Sequence, residues 1–82
     1  MKNKDTDIGV VFIYTYDNKM FIDNYLNDPV LISSLGLTIN PGEEIYYTYQ
    51  EKVSLKYRNE TFTYQFSDSE GTEFKTLFVK EN

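Results

Sequence analysis

Residues 52–66 constrain the fold most strongly, because two short segments alternate apolar and polar side chains around a central turn. The apolar positions of the two arms are Val53, Leu55 and Tyr57, then Phe62, Tyr64 and Phe66. Residues two positions apart share one face of a strand, so the two apolar faces coincide when the arms pair. The polar sequence Arg58-Asn59-Glu60 fits the connecting turn. Residues 52–66 are therefore predicted to form a β-hairpin.

The rest of the chain divides into further short segments of this type, separated by turn-forming residues. Strands are predicted at residues 9–16, 19–23, 29–35, 37–39, 44–50 and 74–79. Residues 29–35 also fit one helical turn near Ser33, and a strand is the favoured interpretation. Six to seven short strands at intervals of about 8–12 residues are typical of an antiparallel sandwich or a small barrel. The sequence predicts one all-β domain over residues 1–82, with frayed ends at 1–7 and 80–82.

The choice of residues supports this prediction. The chain has no alanine, the strongest helix former, and it has eight tyrosines and six phenylalanines, which favour strands. Each aromatic ring removes roughly 150–250 Å² from water when it is buried, so these residues can supply much of the core. Residues 9–16 are apolar on both faces, which predicts a central strand or one that lies between two layers.

Several chemistries lack the residues that they need. The chain has no histidine and no cysteine, which removes the commonest general base, the commonest transition-metal ligand and any thiolate site. Ser33 and Ser34 have no nearby base, and the acidic loop at residues 68–73 does not match the EF-hand spacing. We therefore expect a protein that is not an enzyme, with no cofactor and no metal, and a solvated turn at residues 68–73.

The charge balance bears on possible partners. The formal net charge is −5, and Arg58 is the single arginine. A phosphate-binding surface needs clustered cations, so nucleic acid and anionic membrane are disfavoured as partners. The N-terminal residues do not fit a signal peptide and no segment is long and apolar enough to span a membrane, which predicts a soluble, cytoplasmic protein.

The segment TINPGEEIYYTYQ, residues 38–50, is the richest in candidate contact residues. Asn40-Pro41-Gly42 fits a type II turn, and a strand follows it. Strand alternation places Ile45, Tyr47 and Tyr49 on the core face and Tyr46 on the other face. Glu43 and Glu44 are adjacent and point to opposite faces, so they do not pair with each other, and no other two carboxyl groups are expected to meet. The predicted protein-binding residues are Glu43, Glu44 and Tyr46.

These observations favour a small acidic protein-binding module without enzymatic activity, for example an inhibitor that occupies a basic site on another protein. The composition is compatible with a bacterium of low GC content or its phage. One alternative is a structural or assembly subunit that forms a homo-oligomer through an edge strand. A second is a single-stranded nucleic-acid binder that stacks bases on its aromatic rings, which the acidic charge opposes.

Overall fold

The structure, a computed structural model, describes residues 8–80, and these contain eight strands and no helix. The strands are β1 (Ile8–Tyr16), β2 (Lys19–Asn24), β3 (Val30–Ile32), β4 (Leu37–Ile39), β5 (Glu44–Thr48), β6 (Lys52–Tyr57), β7 (Glu60–Gln65) and β8 (Phe74–Lys80). The all-β prediction is confirmed, with eight strands instead of six to seven. The predicted frayed ends at 1–7 and 81–82 lie outside the described residues, whereas Lys80 belongs to β8.

The strands form two antiparallel four-stranded sheets packed as a sandwich, which decides between the sandwich and the barrel. Sheet A has the order β5-β2-β1-β8 and sheet B the order β4-β3-β6-β7. The predicted hairpin is confirmed as β6 and β7, with Val53 opposite Tyr64 and Leu55 opposite Phe62. β1 lies between β2 and β8, as its two apolar faces predict.

The core lies between the sheets and follows strand alternation. Along β1 the residues Val11, Ile13 and Thr15 are buried, whereas Phe12 and Tyr14 point to the outer face of sheet A. The buried apolar residues of the sandwich are Val11, Ile13, Met20, Ile22, Leu26, Val30, Ile32, Ile39, Val53, Leu55, Tyr57, Phe66 and Leu77. Burial of aliphatic and aromatic side chains is the main source of stability for such a fold.

Three of the four central residues of the tight turns are Asp or Asn, and Arg58 is the exception. Asp17 and Asn18 connect β1 to β2 with φ angles of 52° and 65°, and Arg58 and Asn59 connect β6 to β7 with 51° and 65°. Positive φ at both central residues is the conformation whose twist matches a two-residue hairpin, and Asp and Asn tolerate it well. These turns set the register of both hairpins.

The ambiguous segment at residues 29–35 contains both a strand and a turn. Val30–Ile32 forms β3, and residues 33–36 then turn the chain into β4. The amides of Leu35 and Gly36 both donate to the carbonyl of Ile32, and Gly36 has a φ of 69°. The strand prediction is therefore confirmed for residues 30–32. Residues 33–36, where one helical turn was the alternative, form a turn. Within residues 8–80 no helix is long and apolar enough to cross a membrane.

Candidate functional site

The outer face of sheet A carries a row of four aromatic side chains, one from each strand. Strand register places Tyr46 of β5 opposite Phe21 of β2, Phe21 opposite Tyr14 of β1, and Tyr14 opposite Phe74 of β8. The row therefore crosses the full width of the sheet. We call these four residues the aromatic row.

The rings of the aromatic row contact one another. Ring centroids are 6.0 Å apart for Tyr46 and Phe21, 4.9 Å for Phe21 and Tyr14, and 5.8 Å for Tyr14 and Phe74. The last two pairs are stacked, with interplanar angles of 11° and 9°. Since Phe21 and Tyr14 each lie between two other rings, these two inner rings present their edges to solvent. Tyr46 lies at its β5 end, and its ring is tilted 35° from that of Phe21.

Further aromatic side chains widen this surface. Phe12 makes edge-to-face contacts with Tyr25, at 5.6 Å between centroids, and with Phe74, at 5.4 Å. Several rings are well exposed: Tyr46 by 68%, Tyr25 by 60% and Phe74 by 58%. Contiguous exposed apolar surface is unusual on a monomer and marks interaction sites. The aromatic row together with Phe12 and Tyr25 is called the aromatic face below.

A pair of carboxyl groups lies beside the aromatic row. Asp23 of β2 is opposite Glu44 of β5 in the strand register, two positions along from the pair formed by Phe21 and Tyr46. One carboxyl oxygen of Asp23, Oδ1, is buried and has no hydrogen-bond partner among the described residues. Loss of water around Asp23 raises its pKa to about 7, and its hydrogen bond with Glu44 and the charge of Glu44 add to the effect.

Tyr14 links this carboxyl pair to the aromatic row. Its hydroxyl donates a hydrogen bond of 3.1 Å to Oε2 of Glu44. Desolvation first, and then the hydrogen bond and charge of Glu44, raise the pKa of Tyr14, so the phenol stays protonated and remains a donor near neutral pH. Tyr14 thus belongs to the stack and also orients one of the two carboxyl groups.

The turn at residues 40–43 determines where Glu43 and Glu44 lie. The amide of Glu43 donates to the carbonyl of Asn40, and Gly42 has a φ of 81°, which confirms the predicted type II turn. Oε1 of Glu43 accepts a hydrogen bond of 2.8 Å from the amide of Asn40. Glu43 therefore closes the turn with its side chain, whereas Glu44 lies on the outer face of sheet A with Tyr46.

The three tyrosines of residues 46–49 occupy different environments. Tyr46 is exposed, as predicted. Tyr49 packs against the core and its hydroxyl donates to the carbonyl of Phe66 at 2.9 Å, as its predicted structural role requires. The prediction that Tyr47 is buried is wrong, because it is 41% exposed. Tyr47 is opposite buried Met20, but β5 is an edge strand, so the core surrounds its inner face on one side only.

Sequence reasoning missed most of this surface. The expectation that no two carboxyl groups meet is wrong, because the pairing of β2 with β5 joins Asp23 to Glu44 across 21 positions of the chain. Phe21 and Phe74 were not identified either. The alternation of Phe12 and Tyr14 along β1 indicates one aromatic side of that strand. It does not show which strands pair with β1, and the aromatic face depends on those pairings.

The acidic loop uses its carboxylates internally. Oε1 of Glu73 accepts hydrogen bonds from the amides of Ser67 and Asp68, at 2.7 and 3.0 Å, and Asp68 accepts one from the amide of Glu70. These backbone hydrogen bonds lower the pKa of both carboxyl groups. Within residues 8–80 no group of three or more acidic side chains could hold a metal ion.

Comparison with models of known protein families gives no match for this chain, and neither the curated proteins nor the solved structures give one.

Proposed function

We propose that the protein is a non-enzymatic binding module whose aromatic face binds a basic surface on another protein, and that it acts as an inhibitor by occupying that surface. The observation that carries the proposal is the aromatic row, which crosses a whole sheet, is well exposed at Tyr46 and Phe74, and is flanked by the carboxyl pair of Asp23 and Glu44. An apolar centre beside a charged group is the usual composition of a protein-binding surface.

The ring geometry favours a protein over a nucleic acid. Bases stack on open ring faces, and the faces of Tyr14 and Phe21 are covered by their neighbours. Ring edges instead pack well against aliphatic and aromatic side chains. The net charge of −5 also repels phosphate. We expect no gel shift with single-stranded DNA or RNA at any salt concentration.

The charges favour a basic partner. Within residues 8–80 one ion pair joins Arg58 to Asp28, and neither Asp23 nor Glu44 has a cationic partner. A lysine or arginine of the partner that reaches Glu44 can therefore form an ion pair with it without breaking an existing one. The net charge of −5 also steers a basic protein toward this one and opposes face-to-face association of two copies.

Affinity capture with matched variants tests the proposal. The immobilised protein is used to capture partners from a bacterial lysate, and each captured protein is purified and titrated against the wild type and variants. We expect Tyr46→Ala and Glu44→Lys each to weaken binding at least tenfold. Tyr47→Ala, which alters an exposed tyrosine on the opposite side of the same strand, is the control and leaves affinity unchanged. Equal affinity for all four proteins contradicts the proposed site.

The assembly subunit is the second candidate, and one feature favours it. β8 is an edge strand of seven residues without proline, and Phe78 on it is 69% exposed. Such an edge offers unpaired backbone groups to another strand. Light scattering over a range of concentrations tests it. A closed oligomer that Phe78→Glu disrupts supports this candidate, and a monomer throughout contradicts it.

A further inference from the structure

We propose that Asp23 and Glu44 hold one proton between them near neutral pH, and that a basic partner displaces this proton when it binds, so that pH sets the affinity of the aromatic face. This inference rests on the proposed function and adds its regulation. It concerns one pair of side chains, which lies beside the aromatic row already described.

The geometry around the pair calls for a proton. Asp23 and Glu44 are direct cross-strand neighbours, and two carboxylates in this position repel each other. Oδ1 of Asp23 is buried without a donor among the described residues, whereas Glu44 accepts the hydroxyl of Tyr14. A proton held between the two carboxyl groups removes the repulsion and supplies the missing donor.

The groups around the pair offer no competing cation within residues 8–80. β1 contributes Phe12 and Tyr14, and the loop after β2 contributes the ring of Tyr25, which contacts Phe12. Along β2 the neighbour on this face is Phe21, and Lys19 follows two positions further. Lys19 is four residues from Asp23, or about 13 Å at the rise of a β-strand.

β5 adds the ring of Tyr46 on the same face, and Glu43 precedes the strand with its carboxylate turned to the amide of Asn40. The nearest ionisable neighbours are therefore acidic or phenolic. Desolvation and the charge of Glu44 raise the pKa of Asp23 to about 7, in agreement with this arrangement. A lysine or arginine of a partner placed here would favour the doubly ionised pair and expel the proton.

The consequence is a measurable dependence of affinity on pH. If one proton with a pKa near 7 must leave on binding, the affinity rises about tenfold between pH 6 and pH 8. The sequence has no histidine, so the pair and the N-terminal amino group are the groups whose ordinary or raised pKa falls in this range.

The first test follows the carboxyl groups of the free protein by ¹³C NMR between pH 3 and pH 9. We expect one of the two groups to titrate with a midpoint near pH 7. Asp23→Asn should remove this midpoint. A midpoint below about pH 5 for Asp23 in the wild type contradicts the shared proton.

The second test measures binding of a tetra-arginine peptide amide by calorimetry at pH 6 and pH 8. Arginine keeps its charge throughout, so a change in affinity reports on the protein. We expect about tenfold tighter binding at pH 8, which Asp23→Asn abolishes. Glu60→Gln removes one exposed carboxylate of sheet B and should leave the pH dependence intact. This variant is the matched control for net charge.

The outcomes separate the inference from the proposed function. Equal affinity at both pH values, with binding weakened by Tyr46→Ala, contradicts the inference and leaves the function standing. Absence of peptide binding at both pH values contradicts the proposal that the partner is basic. It also contradicts proton-linked binding, even if Asp23 titrates as expected.

Discussion

The side-chain amide of Asn24 donates a hydrogen bond of 2.9 Å to the backbone carbonyl of Ile39, and thereby joins the end of β2 to the end of β4. Asn24 is almost fully buried, and its side chain also donates to the carbonyl of Asp28 and accepts from the amide of Leu26. Its backbone exchanges hydrogen bonds with Gly42 and Glu43. One residue thus fixes the loop after β2 and the turn that precedes Glu44.

Replacement of Asn24 should destabilise the protein strongly. Asn24→Ala leaves the amide of Leu26 and the carbonyl of Ile39 buried without partners, and we expect the free energy of unfolding to fall by about 2–4 kcal/mol. Urea denaturation measures the change. Asn24→Asp keeps the acceptor for Leu26 but loses both donors, so it should also destabilise. A loss below about 0.5 kcal/mol in Asn24→Ala would show that the side chain is not needed.

The raised pKa of Asp23 predicts that stability falls as pH rises. Between about pH 4 and pH 7 the folded protein holds a proton on Asp23 that the unfolded chain releases, so the free energy of unfolding declines across this window. Asp23→Asn should remove this slope and, because solvent screens the pair, stabilise the protein at pH 8 by about 1 kcal/mol. Urea denaturation at pH 4, 6 and 8 measures the slope. Identical slopes in both proteins would contradict the prediction.

Tyr49 and Tyr47 should respond differently to loss of the hydroxyl group. Tyr49→Phe removes the donor to the partly buried carbonyl of Phe66, and we expect a loss of about 1 kcal/mol. Tyr47→Phe is the matched control, because its hydroxyl makes no hydrogen bond within residues 8–80 and the side chain is 41% exposed. Thermal unfolding of both variants tests whether the hydroxyl of Tyr49 stabilises the fold and that of Tyr47 does not. Equal losses would overturn it.

The buried hydroxyl of Thr15 should be important for the acidic loop. It accepts a hydrogen bond of 3.0 Å from the amide of Glu73, and it donates one of 3.4 Å to the carbonyl of Gly71. Thr15→Val preserves shape but leaves that amide without its partner, at a cost of about 1–3 kcal/mol. Hydrogen exchange should show loss of protection at Glu73. Unchanged protection there would show that the loop is held by other contacts.

Local features of the fold could be predicted from the sequence, and distant pairings could not. The turns at Asp17-Asn18 and Arg58-Asn59 join strands adjacent in the chain, so alternation and turn chemistry determine both hairpins. The pairing of β2 with β5 instead joins segments separated by β3 and β4. No short-range rule sets its register, and the contact between Asp23 and Glu44 depends on it.

The candidate site shows the same division. Alternation identified Tyr46 as exposed and placed Glu44 near it, because both follow the turn at Pro41 and Gly42 on one strand. It could not show that β5 lies at an edge, and it therefore assigned Tyr47 to the core. The burial of Tyr47 depends on the position of its strand within the sheet. Periodicity alone gives only the face of the sheet to which a side chain points.

The alternation along β1 also has an evolutionary consequence. Val11 and Ile13 are fully enclosed between the sheets, so their replacement is limited by volume. Phe12 and Tyr14, on the opposite side of the same strand, have no opposing sheet within residues 8–80 and are free of that limit. Substitutions can therefore change the outer residues widely, while the inner residues preserve the sandwich.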